Sequence, residues 1–321
     1  MPSHDSIVDR ADQRTAARPA RAAANASPSG SGVPAPAGDA STAASTAALT
    51  DAELRQWADD GFFLRRGFVP EATARAIESE AVGLARRAAG TAACEGALLL
   101  EEPNLTRDPR DAGQADEAWE TRIAKMFKLH RMGAFRAFIE RPEIGTLVRG
   151  LLGPTVDCFL SQFIFKNPGA WGQPWHQDAF YFPFDRGPQV GLWLAITETT
   201  LENGPLHVLR GSHVEPVHKH VPDRRTGALY GYVEIVDHGM ERAEPVLMQP
   251  GDLLVFHSHL MHRSTDNQSQ RHRAAMVYHC AVRGTKDVGG FESPVTDWMP
   301  LPDPCPAQAA VRAGDSEVAP R

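Results

Sequence analysis

The chain has 321 residues, 42% of them hydrophobic and 23% charged, which suits a soluble globular protein with a core of its own. Its 33 Lys and Arg stand against 40 Asp and Glu, and the resulting charge of −7 excludes a broad basic footprint for nucleic acid. No stretch approaches the roughly 18 consecutive apolar residues of a membrane span. The four dispersed cysteines, Cys94, Cys158, Cys280 and Cys305, read as reduced thiols of a cytoplasmic protein.

Residues 1–48 are mostly Ala, Ser, Pro and Gly, a composition that cannot bury enough apolar surface to offset ordering, and they are expected to form a disordered tail. No apolar segment of a signal peptide follows the early charges, and Asp5, Asp9 and Asp12 argue against an organelle transit peptide. One domain is expected over 49–285, followed by a loosely ordered extension over 286–321.

Thr50-Asp51-Ala52-Glu53 fits a capping box, and the helix it starts should end at Asp60-Gly61. "FFLRRGFV" reads as a short strand. Pro70 then opens a helix with Ala74, Ile77, Ala81, Leu84 and Ala88 on one face. Helical patterning continues through "TRIAKMFKLHRMGAFRAFIERPEIGTLVRGLLG", with a break at Pro142. Beyond Gly153 the texture becomes strands, at 156–166, 190–199, 206–210, 230–236, 244–249, 252–257 and 273–282, separated by turns such as Glu202-Asn203-Gly204. Helices followed by seven or eight strands point to an all-β core with flanking helices, a jelly-roll or cupin-type barrel.

Most of the 13 histidines fall between His176 and His279. His176-Gln177-Asp178 follows a strand and a Gly/Pro loop, so its first and third side chains share a face. A third ligand is expected from "GDLLVFHSHLMHRSTDNQSQRHR", where His257, His259 and His262 compete. His262, at the start of the next strand, is preferred, with His259 as the alternative. Two His and one carboxylate leave three adjacent positions open on Fe(II).

The order H-Q-D, a later Trp, "NG-x-L-x-V-x-x-GSH", "GD-x-x-x-FH-x-x-x-xH-x-S-x-x-N" and a late Arg resembles the phytanoyl-CoA dioxygenase family, over roughly residues 50–285. The resemblance implies a double-stranded β-helix and an Fe(II)- and 2-oxoglutarate-dependent dioxygenase that consumes O2 and releases succinate and CO2. It implies His176, Asp178 and His262 as iron ligands and Arg273 as anchor of the distal carboxylate of 2-oxoglutarate. Gln162, Gln177, Trp193 and Lys125 match further co-substrate contacts. A guanidinium can grip a carboxylate bidentately, which supports the role of Arg273 on chemical grounds. Arg271 has the same strand parity and is its rival. The related halogenases carry a small residue in place of Asp178, so hydroxylation rather than chlorination is implied.

Blander readings stand beside these. Trp193 also suits a core position, and Lys125, like Lys128, a surface helix. His218 and His220 read as part of a polar surface loop. Gly211-Ser212-His213 reads as a structural turn, and Lys166-Asn167-Pro168-Gly169 lacks the phosphate-loop pattern. A zinc hydrolase would need a nearby general base in an H-E-x-x-H arrangement, which the sequence lacks, and a non-enzymatic cupin-like binding module would tolerate loss of ligands that are all present. The expected substrate is a hydrophobic small molecule, a biosynthetic intermediate oxidised at an aliphatic C–H. An acyl-CoA, or desaturation or cyclisation, is the alternative. No nucleic-acid or membrane partner is expected, and the chain should act as a monomer or homodimer.

Overall fold

The computed structural model describes residues 48–88, 90–102, 119–226, 228, 231–290 and 293–303. All but the last residue of the tail expected over 1–48 lies outside them, as do Cys305 and the end of the C-terminal extension.

The first helix, α1 (Asp51–Asp60), is capped as its sequence predicts. Thr50 accepts from the Glu53 amide, Glu53 accepts from the Thr50 amide, and Gly61 at φ 82° closes the helix. Strand β1 (Phe62–Arg65) follows, and then α2 (Glu71–Ala88), which buries Ala74, Ile77, Ala81, Leu84 and Ala88 as the spacing predicts. Two strands, β2 (Ala93–Cys94) and β3 (Ala97–Glu101), precede β4 (Ile123–Phe127). The helical pattern expected through 123–127 is therefore corrected to a strand. All five residues of β4 are buried, so the alternation that would mark a strand is missing from its sequence. Helices α3 (Gly133–Ile139) and α4 (Pro142–Leu152) occupy the rest of that segment.

The remaining strands are β5 (Val156–Lys166), β6 (Val190–Ala195), β7 (Leu206–Val208), β8 (His220–Pro222), β9 (Val233–Ile235), β10 (Glu244–Val246), β11 (Leu253–His257), β12 (His262–Ser264), β13 (Arg273–Val282) and β14 (Met299–Pro300). Several are shorter than predicted, because pairing stops where the chain turns away. The large antiparallel sheet runs β1-β11-β6-β13-β5-β4-β3-β2, with β14 also paired to β5. A three-stranded sheet runs β10-β7-β12, and β8 pairs with β9.

One face of the large sheet packs on α2, α3 and α4 through Val156, Phe163, Leu192, Leu194, Met276 and Tyr278. On the other face Trp193, Leu254, Phe256 and Val277 share a cluster with Leu206, Val208 and Val246 of the three-stranded sheet. The segment 293–303, expected to be loose, buries Met299 and Leu301 against the helix-side core. Asp297 adds an ion pair with Arg131, and Trp298 packs on Phe159 and Phe184. No helix of the described residues is long and apolar enough to cross a membrane.

Candidate metal centre

Strand parity decides which side chains meet. On β13, Ala274, Met276, Tyr278 and Cys280 enter the helix-side core, so Arg273, Ala275, Val277 and His279 face the other way. Register carries that face across the sheet. Val277 lies opposite Gln162 on β5 and Trp193 on β6, and Arg273 lies opposite Lys166. Lys125 on β4 lies opposite Ile164. A bulge at His279/Cys280 leaves Phe159 of β5 unpaired, and Phe159 joins an aromatic cluster on this same side.

Three candidate ligands converge there. His176 and His262 form an isolated antiparallel bridge, each amide donating to the other's carbonyl, at 2.9 and 3.0 Å. Gln177 is extended and Asp178 is the first residue of the short helix α5 (Asp178–Tyr181), so His176 and Asp178 point the same way. Asp178 Oδ1 lies 3.5 Å from His176 Nε2 and 3.8 Å from His262 Nε2. Each histidine bonds through Nδ1 to a backbone carbonyl, Pro174 at 2.7 Å and Leu260 at 2.9 Å, which turns both Nε2 atoms inward. Asp178 Oδ2 is buried without a hydrogen-bond partner among the described residues, although His279 Nδ1 lies 3.7 Å away.

The electrostatics follow from burial. Burial and the adjacent His262 push His176 down to about 4, leaving it neutral and able to donate a lone pair. Burial opposes the charge of Asp178, but His262, His279 and His176 outweigh it and hold the carboxyl below its usual range. A buried carboxylate with Oδ1 facing two imidazole Nε2 atoms and Oδ2 left without a donor fits a divalent cation and fits no neutral core.

Arg273 is 1% exposed. Its Nε and Nη2 both donate to the Gly204 carbonyl, at 3.2 and 2.7 Å, and Nη1 has no hydrogen-bond partner among the described residues. The guanidinium lies 5.4 Å from the Trp193 ring centre. Burial pushes its pKa down to about 9. Gly204 (φ 82°) is required here, since a Cβ would stand 2.5 Å from the Thr265 carbonyl oxygen. Arg271, its rival, precedes β13 and stands 72% exposed beside Glu198.

The remaining expected contacts divide. Lys125 is buried on a strand rather than exposed on a helix, and donates to Gln173 Oε1 at 2.9 Å. Burial, opposed by Asp178 and Glu102, pushes it down to about 8. Gln162 is half-buried on the same sheet face. Trp193 is buried with its Nε1 unpartnered. Gln177 departs from the expected co-substrate contact. Between two inward side chains it points the other way, donating to the carbonyls of Pro216 and His259 and accepting from the His218 amide. His257 packs on Trp57 and His213, and His259 bonds to the Glu215 carbonyl, so neither joins the cluster.

Three participants escaped the sequence reading. Gln173 Nε2 lies 3.0 Å from His176 Nε2 and links it to Lys125. His279 follows Arg273 by alternate residues on β13, a signal available once the strand is drawn. His220, read as surface, stacks on Phe180 and accepts from the Gln177 amide.

The phytanoyl-CoA dioxygenase (PhyH) family model matches residues 57–275. The chain belongs to this family. Similar proteins include the Bos taurus phytanoyl-CoA dioxygenase domain-containing protein 1, 34% identical over 155 residues, covering 45% of this chain and 52% of that protein. Two other curated relatives, from Rattus norvegicus and Oryza sativa, are matched over 60% and 66% of their length, so this chain spans about half to two thirds of such relatives. Among solved structures, the apo non-heme monooxygenase ThoJ is similar at TM-score 0.57 and 22% identity, covering 78% of this chain and 84% of that one. EvdO2 from Micromonospora carbonacea, complexed with 2-oxoglutarate, has TM-score 0.56 and 18% identity, over 78% and 98%. These solved structures share the fold.

Proposed function

We propose that this protein is an Fe(II)- and 2-oxoglutarate-dependent dioxygenase that hydroxylates an aliphatic C–H of a hydrophobic small molecule. The observation that carries this reading is a pairing of unmet needs in one buried face. Among the described residues, Asp178 Oδ2 has no donor while its Oδ1 faces two inward Nε2 atoms, and Arg273 Nη1 has no acceptor. Lys125 and Lys166 are buried on the same sheet face as Arg273. Burial holds Glu102, a carboxylate that acts on both lysines, above its usual pKa. That surplus of buried basic groups suits a dicarboxylate.

His176, Asp178 and His262 would hold iron, and bound iron with 2-oxoglutarate supplies the oxidising chemistry. Arg273 would grip the distal carboxylate through Nη1, held in place by the Gly204 carbonyl and the Trp193 ring. Lys125 and Gln173 would orient the co-substrate beside His176. The two facing sheets and their shared cluster support a double-stranded β-helix.

The substrate side is apolar. Phe159, Phe182, Phe184 and Trp298 form one aromatic cluster, and both Phe159 and Phe182 lie 5.9 Å from the His279 ring. Of the four cations that could receive CoA phosphates, Arg186, Lys219, Arg224 and Arg225, two are engaged elsewhere: Arg225 pairs with Asp223 and stacks on Trp171, and Arg224 pairs with Glu234. This favours a free substrate over a CoA ester. The test is co-substrate consumption by the iron-loaded protein against matched free acids and CoA esters. Coupled turnover confined to CoA esters would overturn the substrate assignment.

A further inference from the structure

A second group of ligand-type side chains lies on the loops around β8 and β9. The register pairs His220 with Ile235 and Val221 with Glu234. Carried outward, it sets His218 across from Asp237 at the open end of this hairpin, with His238 next along the chain. Glu215, just after the short turn Ser212–Val214, reaches the same point. Glu215 Oε2 lies 2.9 Å from His218 Nε2 and 3.2 Å from His238 Nε2.

The proton bookkeeping of this group is uneven. His238 Nδ1 lies 2.7 Å from the Gly239 carbonyl and must donate, because a carbonyl only accepts. That leaves Nε2 as the ring atom facing the Glu215 carboxylate, free to bind a cation there in place of a second proton. His218 stands between two carboxylates, with Asp237 Oδ1 3.5 Å from its Nδ1. In metal sites a ligating imidazole characteristically has its remote nitrogen tied to a carboxylate or a backbone carbonyl. Both imidazoles here have that arrangement. The three ligand atoms lie within 4.8 Å of one another, and the side chains are only partly buried, so water can complete the coordination.

We propose that Glu215, His218 and His238 form a second metal site for a borderline divalent cation such as Zn2+, with Asp237 orienting His218. The site would tie the 215–218 loop to the end of β9. That loop holds Gln177, through the Pro216 carbonyl and the His218 amide, between His176 and Asp178. The cation would thus brace the segment that carries two of the three iron ligands.

The test is calorimetric titration of the metal-free full chain with Zn2+ at neutral pH, with circular dichroism to verify folding. One equivalent should survive His262→Ala and disappear when His238→Ala or the near-isosteric Glu215→Gln is added to that His262→Ala background. Asp237→Asn should keep that equivalent and weaken it about 10- to 100-fold. If no Zn2+ binds His262→Ala, the group holds a proton rather than a metal and the proposal fails. An equivalent that persists when either His238→Ala or Glu215→Gln is combined with His262→Ala would overturn it equally.

Discussion

His176 and His262 exchange both backbone hydrogen bonds across an isolated bridge, at 2.9 and 3.0 Å. This pairing sets the two rings side by side, and their Nδ1 bonds to the Pro174 and Leu260 carbonyls face both Nε2 atoms toward Asp178. It also separates His262 from His259, whose ring turns to the Glu215 carbonyl. His262→Ala should therefore abolish stoichiometric Fe(II) binding at the buried site, and His259→Ala should retain it. Anaerobic equilibrium dialysis of the two variants checks this, and the reverse pattern would reassign the ligand.

Arg273 supplies the second prediction. Truncating one partner of a buried charged pair costs about 2–5 kcal/mol, so Arg273→Ala should weaken 2-oxoglutarate binding by roughly thirtyfold or more. Arg271→Ala should change it little, because Arg271 faces solvent. Co-substrate titrations of both variants decide between them.

Lys125 gives a pH dependence with a definite sign. Its pKa falls from the ordinary 10.5 to about 8 on folding. Between those values the unfolded chain binds more protons, so this group's contribution to stability rises with pH across that window. Below about pH 8 the cost of burying the ammonium is fully present. In the metal-free protein, urea midpoints at about pH 7 and about pH 10 should differ less in Lys125→Met than in the wild type. Equal differences would mean that Lys125 is not desolvated as described.

Much of this site was legible in the sequence because its residues obey simple periods. The H-x-D spacing puts two candidate ligands on one face, the 3- and 4-residue spacing of α2 gives its buried face, and the Asn203-Gly204 turn marks the carbonyl that meets Arg273. What was hidden depends on pairing between distant strands. Lys125 lies on a strand whose five residues are all buried, which leaves no alternation to read. Gln177 turns outward because its neighbours turn inward, and His279 reaches Asp178 only through the register of β13. Local sequence carries no record of such partners.

The C-terminal segment offers a stability test. Leu301 is 1% exposed in the helix-side core, so Leu301→Ala should cost about 2–5 kcal/mol. Denaturant unfolding measures it directly. A loss below about 0.5 kcal/mol would show that 293–303 is not docked as described.

The central claim is that the buried trio and Arg273 together support oxidation coupled to 2-oxoglutarate. It is tested most directly by succinate formed from 2-oxoglutarate by the Fe(II)-loaded full chain in the presence of O2, beside Asp178→Ala treated identically. The account predicts succinate in step with co-substrate loss for the wild type and background levels for Asp178→Ala. A wild-type protein that binds both Fe(II) and 2-oxoglutarate yet forms no succinate, with or without a substrate pool, would contradict it.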